Sequence, residues 1–231
     1  MLYKANSMKT LLKSILLVLV IMSVTHTATA GKKVVRFTAS EPDAKIYVDG
    51  KLMGSGQLEI MIPPYACVAV KIEKVGYLDG LIEFCNKPNY SPPPKTYFYQ
   101  MEKDDAYDAS VSTDVANVDI EVKTTKKEDD AWKLLSQIIT TYFDVLEVTD
   151  KNTGYLRTAW VVQTFKQKTI RTRIIVKLAS TDPLAYKIKL VSEVANSNQV
   201  SVKSDEMFKE WDRILRKYRE VIHEAQTRLG S

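Results

Sequence analysis

Apolar and polar residues alternate along much of the chain, most clearly between residues 155 and 180. Two runs with a period of two, YLRTAWVVQTF and TIRTRIIVKLAS, flank the short polar segment 166–168. Successive side chains of a strand point to opposite sides, so each run has one apolar and one polar face. The pattern predicts a long antiparallel hairpin, with Trp160 and Val162 on its apolar face.

Amphipathic helices are predicted on both sides of this hairpin. The acidic trio 128–130 precedes apolar residues at helical spacing, which predicts a helix over 129–144. A second apolar series, from Met207 to Leu229, predicts a last helix capped by Ser204. Further alternating runs predict strands near 118–122, 145–149 and 186–190. Residues 117–231 are therefore predicted to form an α+β helix-grip domain, with an antiparallel sheet curled around a long C-terminal helix.

Residues 31–103 show a different pattern, in which one strand-like run follows another without a helical period. Asp49-Gly50 lies between two such runs, and this dipeptide favours a tight hairpin turn with positive φ. The pattern predicts a small all-β domain. The polar residues 104–116 are predicted to be a linker between the two domains. Asp104, Asp105 and Asp108 could hold a cation, but a solvated linker is the favoured interpretation.

The polar face of the predicted grip sheet is rich in positive charge. If the strands keep one register, six cations share that face, and we predict that they bind a partner. The alternative is a solvated face that prevents aggregation between sheets. The six residues are Arg157, Arg171, Arg173, Lys177, Lys187 and Lys189.

The first thirty residues are typical of a secretory signal peptide. Lys4, Lys9 and Lys13 precede the apolar run 15–24, and Ala28-Thr29-Ala30 suits cleavage after Ala30. The alternative is a retained anchor, although about ten strongly apolar residues fall short of the roughly 20 that span a bilayer. We therefore predict a periplasmic or cell-surface protein whose association with membranes is only indirect.

Cleavage of the predicted signal peptide would lower the net charge of the chain, and this changes the kind of partner that the charge predicts. The formal net charge of +5 falls to +2, because the segment holds three lysines and no acidic residue. A nearly neutral chain gives no reason to predict nucleic acid as a partner. The predicted partner is an envelope protein or an anionic glycan, and the oligomeric state is left open.

Cys67 and Cys85 are placed symmetrically about Gly76, the natural turn between their two strands. In a hairpin centred there they would face each other, and an exported setting would let them form a disulfide. The alternative is two buried free thiols. No metal site is predicted, because two cysteines without a nearby histidine do not provide a ligand set.

The all-β segment resembles the PEGA domain, a small β-sandwich module of bacterial envelope and surface proteins. The resemblance implies a β-sandwich with an extracytoplasmic adaptor role, and it carries no catalytic residues. The matching residues are Ser40-x-Pro42-x-Ala44-x-Ile46-Tyr47-Val48-Asp49-Gly50, Gly54, Pro63-Pro64 and Lys74-Val75-Gly76-Tyr77.

The second domain resembles the domains of lipoprotein component C of the outer-membrane β-barrel assembly machinery. This resemblance implies the grip fold and an envelope-associated scaffold. The matching residues are Ala131-Trp132, the run 143–149 and Asp150-x-x-x-Gly154-x-Leu156-x-Thr158-x-Trp160-Val161.

Candidate catalytic residues are few. The chain has two histidines, and His26 lies in the predicted signal peptide, which leaves His223 without a patterned partner. We therefore predict no enzyme and no cofactor, and a non-catalytic envelope scaffold is the first hypothesis. The second is a glycan-binding or glycan-processing accessory protein with a platform of tyrosines, although such tyrosines also suit a strand core. They are Tyr65, Tyr77, Tyr90, Tyr97 and Tyr99.

Overall fold

The computed structural model describes residues 31–230, so the predicted signal peptide lies outside the described residues. The chain forms two compact units. Unit 1 contains the described residues up to Lys74 together with Asp79–Met101, and unit 2 contains Val75–Leu78 and the chain from Glu102 onward. Strands make up 46% and helices 18%, which confirms a sheet-rich α+β class. None of the helices within residues 31–230 combines the length and apolar character needed to cross a bilayer.

Unit 1 is built from seven strands and no helix within its described residues, in line with the strand-like runs of residues 31–103. They form a three-stranded sheet in the order β4-β1-β7 and a four-stranded sheet in the order β3-β2-β5-β6. The strands are β1 (Lys33–Ala39), β2 (Lys45–Val48), β3 (Lys51–Ser55), β4 (Gln57–Ile62), β5 (Cys67–Glu73), β6 (Gly80–Cys85) and β7 (Thr96–Tyr99).

Alternation places the apolar residues of these strands in a core between the two sheets. Phe37 and Phe84 come from different sheets, and both rings contact Tyr97. The predicted tight turn between β2 and β3 is present, since Asp49 and Gly50 have φ values of 49° and 80°.

Unit 2 has one large sheet and one small sheet. The large sheet is antiparallel and runs β10-β11-β13-β14-β15, while β12 also pairs with β13 and β9 with β14. The two-stranded sheet joins β8 and β16. The strands are β8 (Ser110–Ser112), β9 (Asp119–Lys123), β10 (Leu146–Asp150), β11 (Tyr155–Thr158), β12 (Val161–Thr164), β13 (Thr169–Thr181), β14 (Leu184–Ala195), β15 (Lys209–Glu210) and β16 (Arg213–Leu215).

Three helices belong to unit 2: α1 (Asp105–Asp108), α2 (Glu128–Tyr142) and α3 (Val221–Gly230). Helix α2 confirms the predicted helix over 129–144, and its first turn carries the acidic trio. Apolar residues of α2 and α3 join those of the large sheet in one core. The Tyr142 hydroxyl donates to Glu224 Oε2 at 2.9 Å, which links the two helices. The opposite side of the large sheet is called the outer face below.

The prediction of a long C-terminal helix from Ser204 is wrong. Residues 205–220 form two short 3-10 turns and the strands β15 and β16, and α3 begins only at Val221. Backbone pairing with β14 and β8 takes the place of helical hydrogen bonds in this segment. Its helical periodicity is misleading because Phe208 and Ile214 are buried by strand and turn contacts rather than along one helix face.

The predicted linker also differs from the structure. Residues 104–116 contain α1 and β8 and belong to unit 2. Asp104 is buried, accepts hydrogen bonds from the backbone of Ala106 and Tyr107, and pairs with Lys168. Its carboxylate therefore caps a helix instead of facing solvent in a linker.

Candidate functional site: the outer face of the large sheet

Register and alternation bring all six predicted cations to the outer face. Arg171, Arg173 and Lys177 alternate along β13 and therefore point to one side. Strand β14 adds Lys187 opposite Lys177 and Lys189 opposite Ile175, while Arg157 of β11 also lies opposite Ile175. Residues directly opposite each other share a face, so the predicted common register is present.

The guanidinium of Arg171 is buried and cannot reach a partner. This finding corrects the expectation that all six cations of the face are available for binding. The side chain of Arg171 is 4% exposed. It contacts Glu193 Oε2 at 2.6 Å and Asp205 Oδ1 at 2.5 Å, and it donates to the carbonyl oxygen of Val202 at 2.7 Å. The segment after β14 supplies two of these three partners, so folding of that segment covers this end of the face.

Two aromatic rings complete the surroundings of Arg171. Its guanidinium lies 4.1 Å from the ring centroid of Phe208 and 4.3 Å from that of Trp160. The Arg173 guanidinium lies 4.0 Å from the same Trp160 ring. We call these four residues the aromatic–arginine cluster. Each guanidinium lies within the range at which the face of an aromatic ring attracts a cation, so these contacts restrict the movement of both side chains.

Trp160 reaches the outer face because of an irregularity that the sequence pattern does not reveal. Leu156 pairs with Val176, but Val161 pairs with Thr172, so the register shifts by one residue between β11 and β12. An extra residue reverses the faces of the strand that follows. Trp160 is therefore beside Arg173 rather than in the core, and Val162 is 39% exposed. The predicted apolar face of this run is correct only up to Thr158.

Two more of the six cations have acidic partners. Arg157 donates to Glu147 Oε2 at 2.9 Å, and Lys189 Nζ lies 3.6 Å from Asp119 Oδ1. Both pairs are partly exposed, so each contributes little to stability. They do neutralise charge on the outer face.

The remaining three cations have no such partner. Among the residues that the structure describes, none brings a carboxylate within ion-pair distance of Arg173, Lys177 or Lys187. Lys177 and Lys187 are exposed and lie directly opposite each other on adjacent strands. Burial lowers the pKa of the Arg173 guanidinium, and the positive charge of Arg157 lowers it further. We call these three residues the open cations.

A shallow groove of about 400 Å³ lies at the edge of the sheet beside Trp160. Its wall includes Val161 and the buried ring of Tyr218, which stacks on Phe143 with 4.7 Å between centroids. Asp144 and Lys217 bring one charge of each sign. The groove therefore has no excess charge.

The predicted disulfide of unit 1 is confirmed. Cys67 and Cys85 are directly opposite each other on β5 and β6 and form a bond, with 4.0 Å between their Cα atoms. Closing a loop of this length stabilises a fold by about 3 kcal/mol in the chain-entropy model. Glu83 lies close to both sulfurs, but the bond occupies both thiols and leaves one carboxylate as a ligand.

The five tyrosines predicted as a glycan platform do not share one environment. Tyr97 packs against Phe37 and Phe84, and Tyr99 lies over Gly80, so both belong to the packing of unit 1. Tyr77 belongs to unit 2. Only Tyr65 and Tyr90 of this set are largely exposed, at 59% and 52%.

Comparison with known proteins gives no match for this chain, either among models of protein families or among curated protein sequences.

Proposed function

We propose that this is an exported, non-catalytic protein of the cell envelope that docks onto an anionic partner through the open cations. One observation carries the docking proposal. Within the described residues, carboxylates neutralise Arg157, Arg171 and Lys189 on the outer face, whereas Arg173, Lys177 and Lys187 on the same face have none. A local excess of positive charge in a nearly neutral chain attracts anionic surfaces.

The finer fold assignments form part of the same proposal. The two facing sheets of unit 1 and its tight turn at Asp49-Gly50 support a PEGA-like β-sandwich. The antiparallel sheet of unit 2, with α2 and α3 on one side, supports a variant of the grip fold with a short last helix. Both resemblances favour an adaptor or scaffold in the envelope, with a role as an accessory to surface-complex or outer-membrane assembly.

The exported location is supported by the disulfide and by the signal-like first thirty residues. A disulfide persists in an oxidising compartment such as the periplasm. Expression of the full chain in a Gram-negative host should yield a periplasmic or surface product that begins at Gly31. Cytoplasmic accumulation of a product with two alkylatable thiols would contradict this location.

The docking surface can be tested by reversing Lys177 and Lys187 together to glutamate. Both side chains are exposed and make no ion pair within residues 31–230, so the fold should tolerate the change. Capture of an envelope partner should be lost, and capture by the wild type should weaken as salt screens the charges. The matched control reverses Lys33 and Lys51, two exposed lysines of unit 1, and should leave capture intact. Equal capture by both double variants would contradict docking through this face.

A second candidate function is glycan binding by the exposed rings of Tyr65 and Tyr90, which could stack on sugar rings. Replacing both tyrosines with alanine should then reduce retention on envelope glycan while the lysine reversal has no effect. The opposite result favours docking through the open cations.

A further inference from the structure

Arg173 differs from an ordinary surface arginine because its guanidinium is partly closed off from water without receiving a counter-charge. Its Nε is buried and has no hydrogen-bond partner within the described residues. Its only stacking contact there is with Trp160, at 4.0 Å. A buried donor without a partner is costly, and proteins retain such groups rarely. The two terminal nitrogens, unlike Nε, are not among the buried unpaired atoms.

The aromatic–arginine cluster holds this guanidinium in a defined orientation. Arg171 is fixed by two carboxylates and one carbonyl oxygen, Trp160 lies over Arg171, and Arg173 lies over Trp160. A flexible arginine loses side-chain entropy when it binds an anion, and prior stacking reduces that loss. The planar fork of a guanidinium matches a carboxylate, to which it can donate two parallel hydrogen bonds.

We propose that Arg173 is a carboxylate-recognition residue that receives an acidic side chain from an extended segment of a protein partner. This proposal rests on the proposed docking function and names the chemistry of its ligand. Arg173, Ile175 and Lys177 follow one another on the outer face of β13. Arg173 and Lys177 are four residues apart, which is about 13 Å along a strand.

The order of these three side chains favours a protein segment over a glycan. An extended peptide with acidic residues at positions i and i+4 repeats the same distance of about 13 Å on one face. An apolar residue at i+2 would then meet the half-buried Ile175 between the two cations. Lys187 lies opposite Lys177 and adds a second positive charge for the acidic residue at i+4.

The test measures binding of a dye-labelled peptide with the core Glu-Thr-Val-Thr-Glu to the full chain by fluorescence anisotropy. A peptide of the same composition with its two glutamates adjacent controls for net charge. Arg173→Gln should weaken binding of the first peptide at least tenfold. Arg173→Lys should weaken it at least threefold, because a point charge replaces the fork. Arg219→Gln, at an exposed arginine of unit 2, is the matched control and should bind like the wild type.

Each outcome of this test either supports or overturns the proposal. Less than threefold loss for Arg173→Lys, or equal binding of the two peptides, overturns it. Oligogalacturonate or inorganic phosphate binding at Arg173 while the first peptide does not bind also overturns it, and assigns the site to another anion. If the reversal of Lys177 and Lys187 still abolishes partner capture, only the role of Arg173 fails. If that reversal leaves capture intact, the proposed docking function fails as well.

Discussion

Arg171 and Arg173 are two residues apart on one strand and point to the same face, yet they share only one neighbouring ring, that of Trp160. Arg171 is buried among Glu193, Asp205, Phe208 and Trp160. Arg173 shares only the contact with Trp160 and has no carboxylate partner among the described residues. The strand places both guanidiniums on one surface, but the segment that follows β14 covers only one of them. For these two arginines the local pattern therefore determines the face, and a distant segment determines whether the charge is available.

The largest expected effect comes from replacing the covered arginine. Arg171→Ala would leave Glu193 without its cation and remove contacts with two rings, so we expect a loss of about 3 kcal/mol in the free energy of unfolding. Arg173→Ala should cost about 1 kcal/mol or less, because it breaks one stacking contact and no ion pair of the described chain. Urea unfolding of both variants measures the difference. Equal losses would show that the two positions do not differ in the way described.

The effect of burial on an ionisable side chain can also be measured, through the dependence of stability on pH. Burial raises the pKa of Tyr218 from 10.0 to about 12, and the negative charge of Asp144 contributes to the shift. The folded state therefore keeps the phenolic proton to higher pH than the unfolded state does. The stability due to this group is fully present below pH 10 and is lost as pH rises toward 12, by roughly 2 kcal/mol.

Urea unfolding at about pH 9 and about pH 11.5 should show this loss in the wild type. Tyr218→Phe has no hydroxyl to ionise, so its stability should fall less over the same interval. Parallel decreases in the two proteins would argue against a buried, protonated Tyr218.

A smaller effect is expected at the ring that the two arginines share. Trp160→Phe keeps an aromatic surface but weakens its attraction for both guanidiniums, so we expect a loss of about 1 kcal/mol. In a double-mutant cycle with Arg173→Ala, part of this loss should disappear, because the second contact is already absent. Fully additive losses would mean that Trp160 and Arg173 do not interact in solution.

The smallest effect has the opposite sign. Lys187→Glu replaces a pair of like charges, Lys177 and Lys187, with a pair of opposite charges on adjacent strands. We expect a gain of about 0.5 kcal/mol in stability and weaker capture of an anionic partner. A gain in stability without any change in capture would make the lysine pair a solubilising feature rather than part of the docking surface.

Neighbouring residues were sufficient to predict much of this molecule. The strands of unit 1, the turn at Asp49-Gly50 and the disulfide between Cys67 and Cys85 depend on alternation and turn chemistry within short hairpins. Helix α2 follows from its own apolar spacing. Five of the six cations share a face because the long strands β13 and β14 keep one register, which their alternation already indicates, and Arg157 joins them from β11.

Contacts between residues far apart in the sequence determined the features that local patterns did not predict. Three residues of the predicted linker pair with three residues of the predicted last helix, as β8 and β16. Arg213 donates to Ser110 across 103 residues and lies over the ring of Tyr107. Local periodicity cannot predict such pairing. Backbone hydrogen bonds to a distant strand, and burial against it, override a weak helical preference. The sequence by itself thus determined that the six cations share the outer face. Tertiary pairing brought Trp160 to that face, covered Arg171, and left Arg173, Lys177 and Lys187 without carboxylate partners in the described residues.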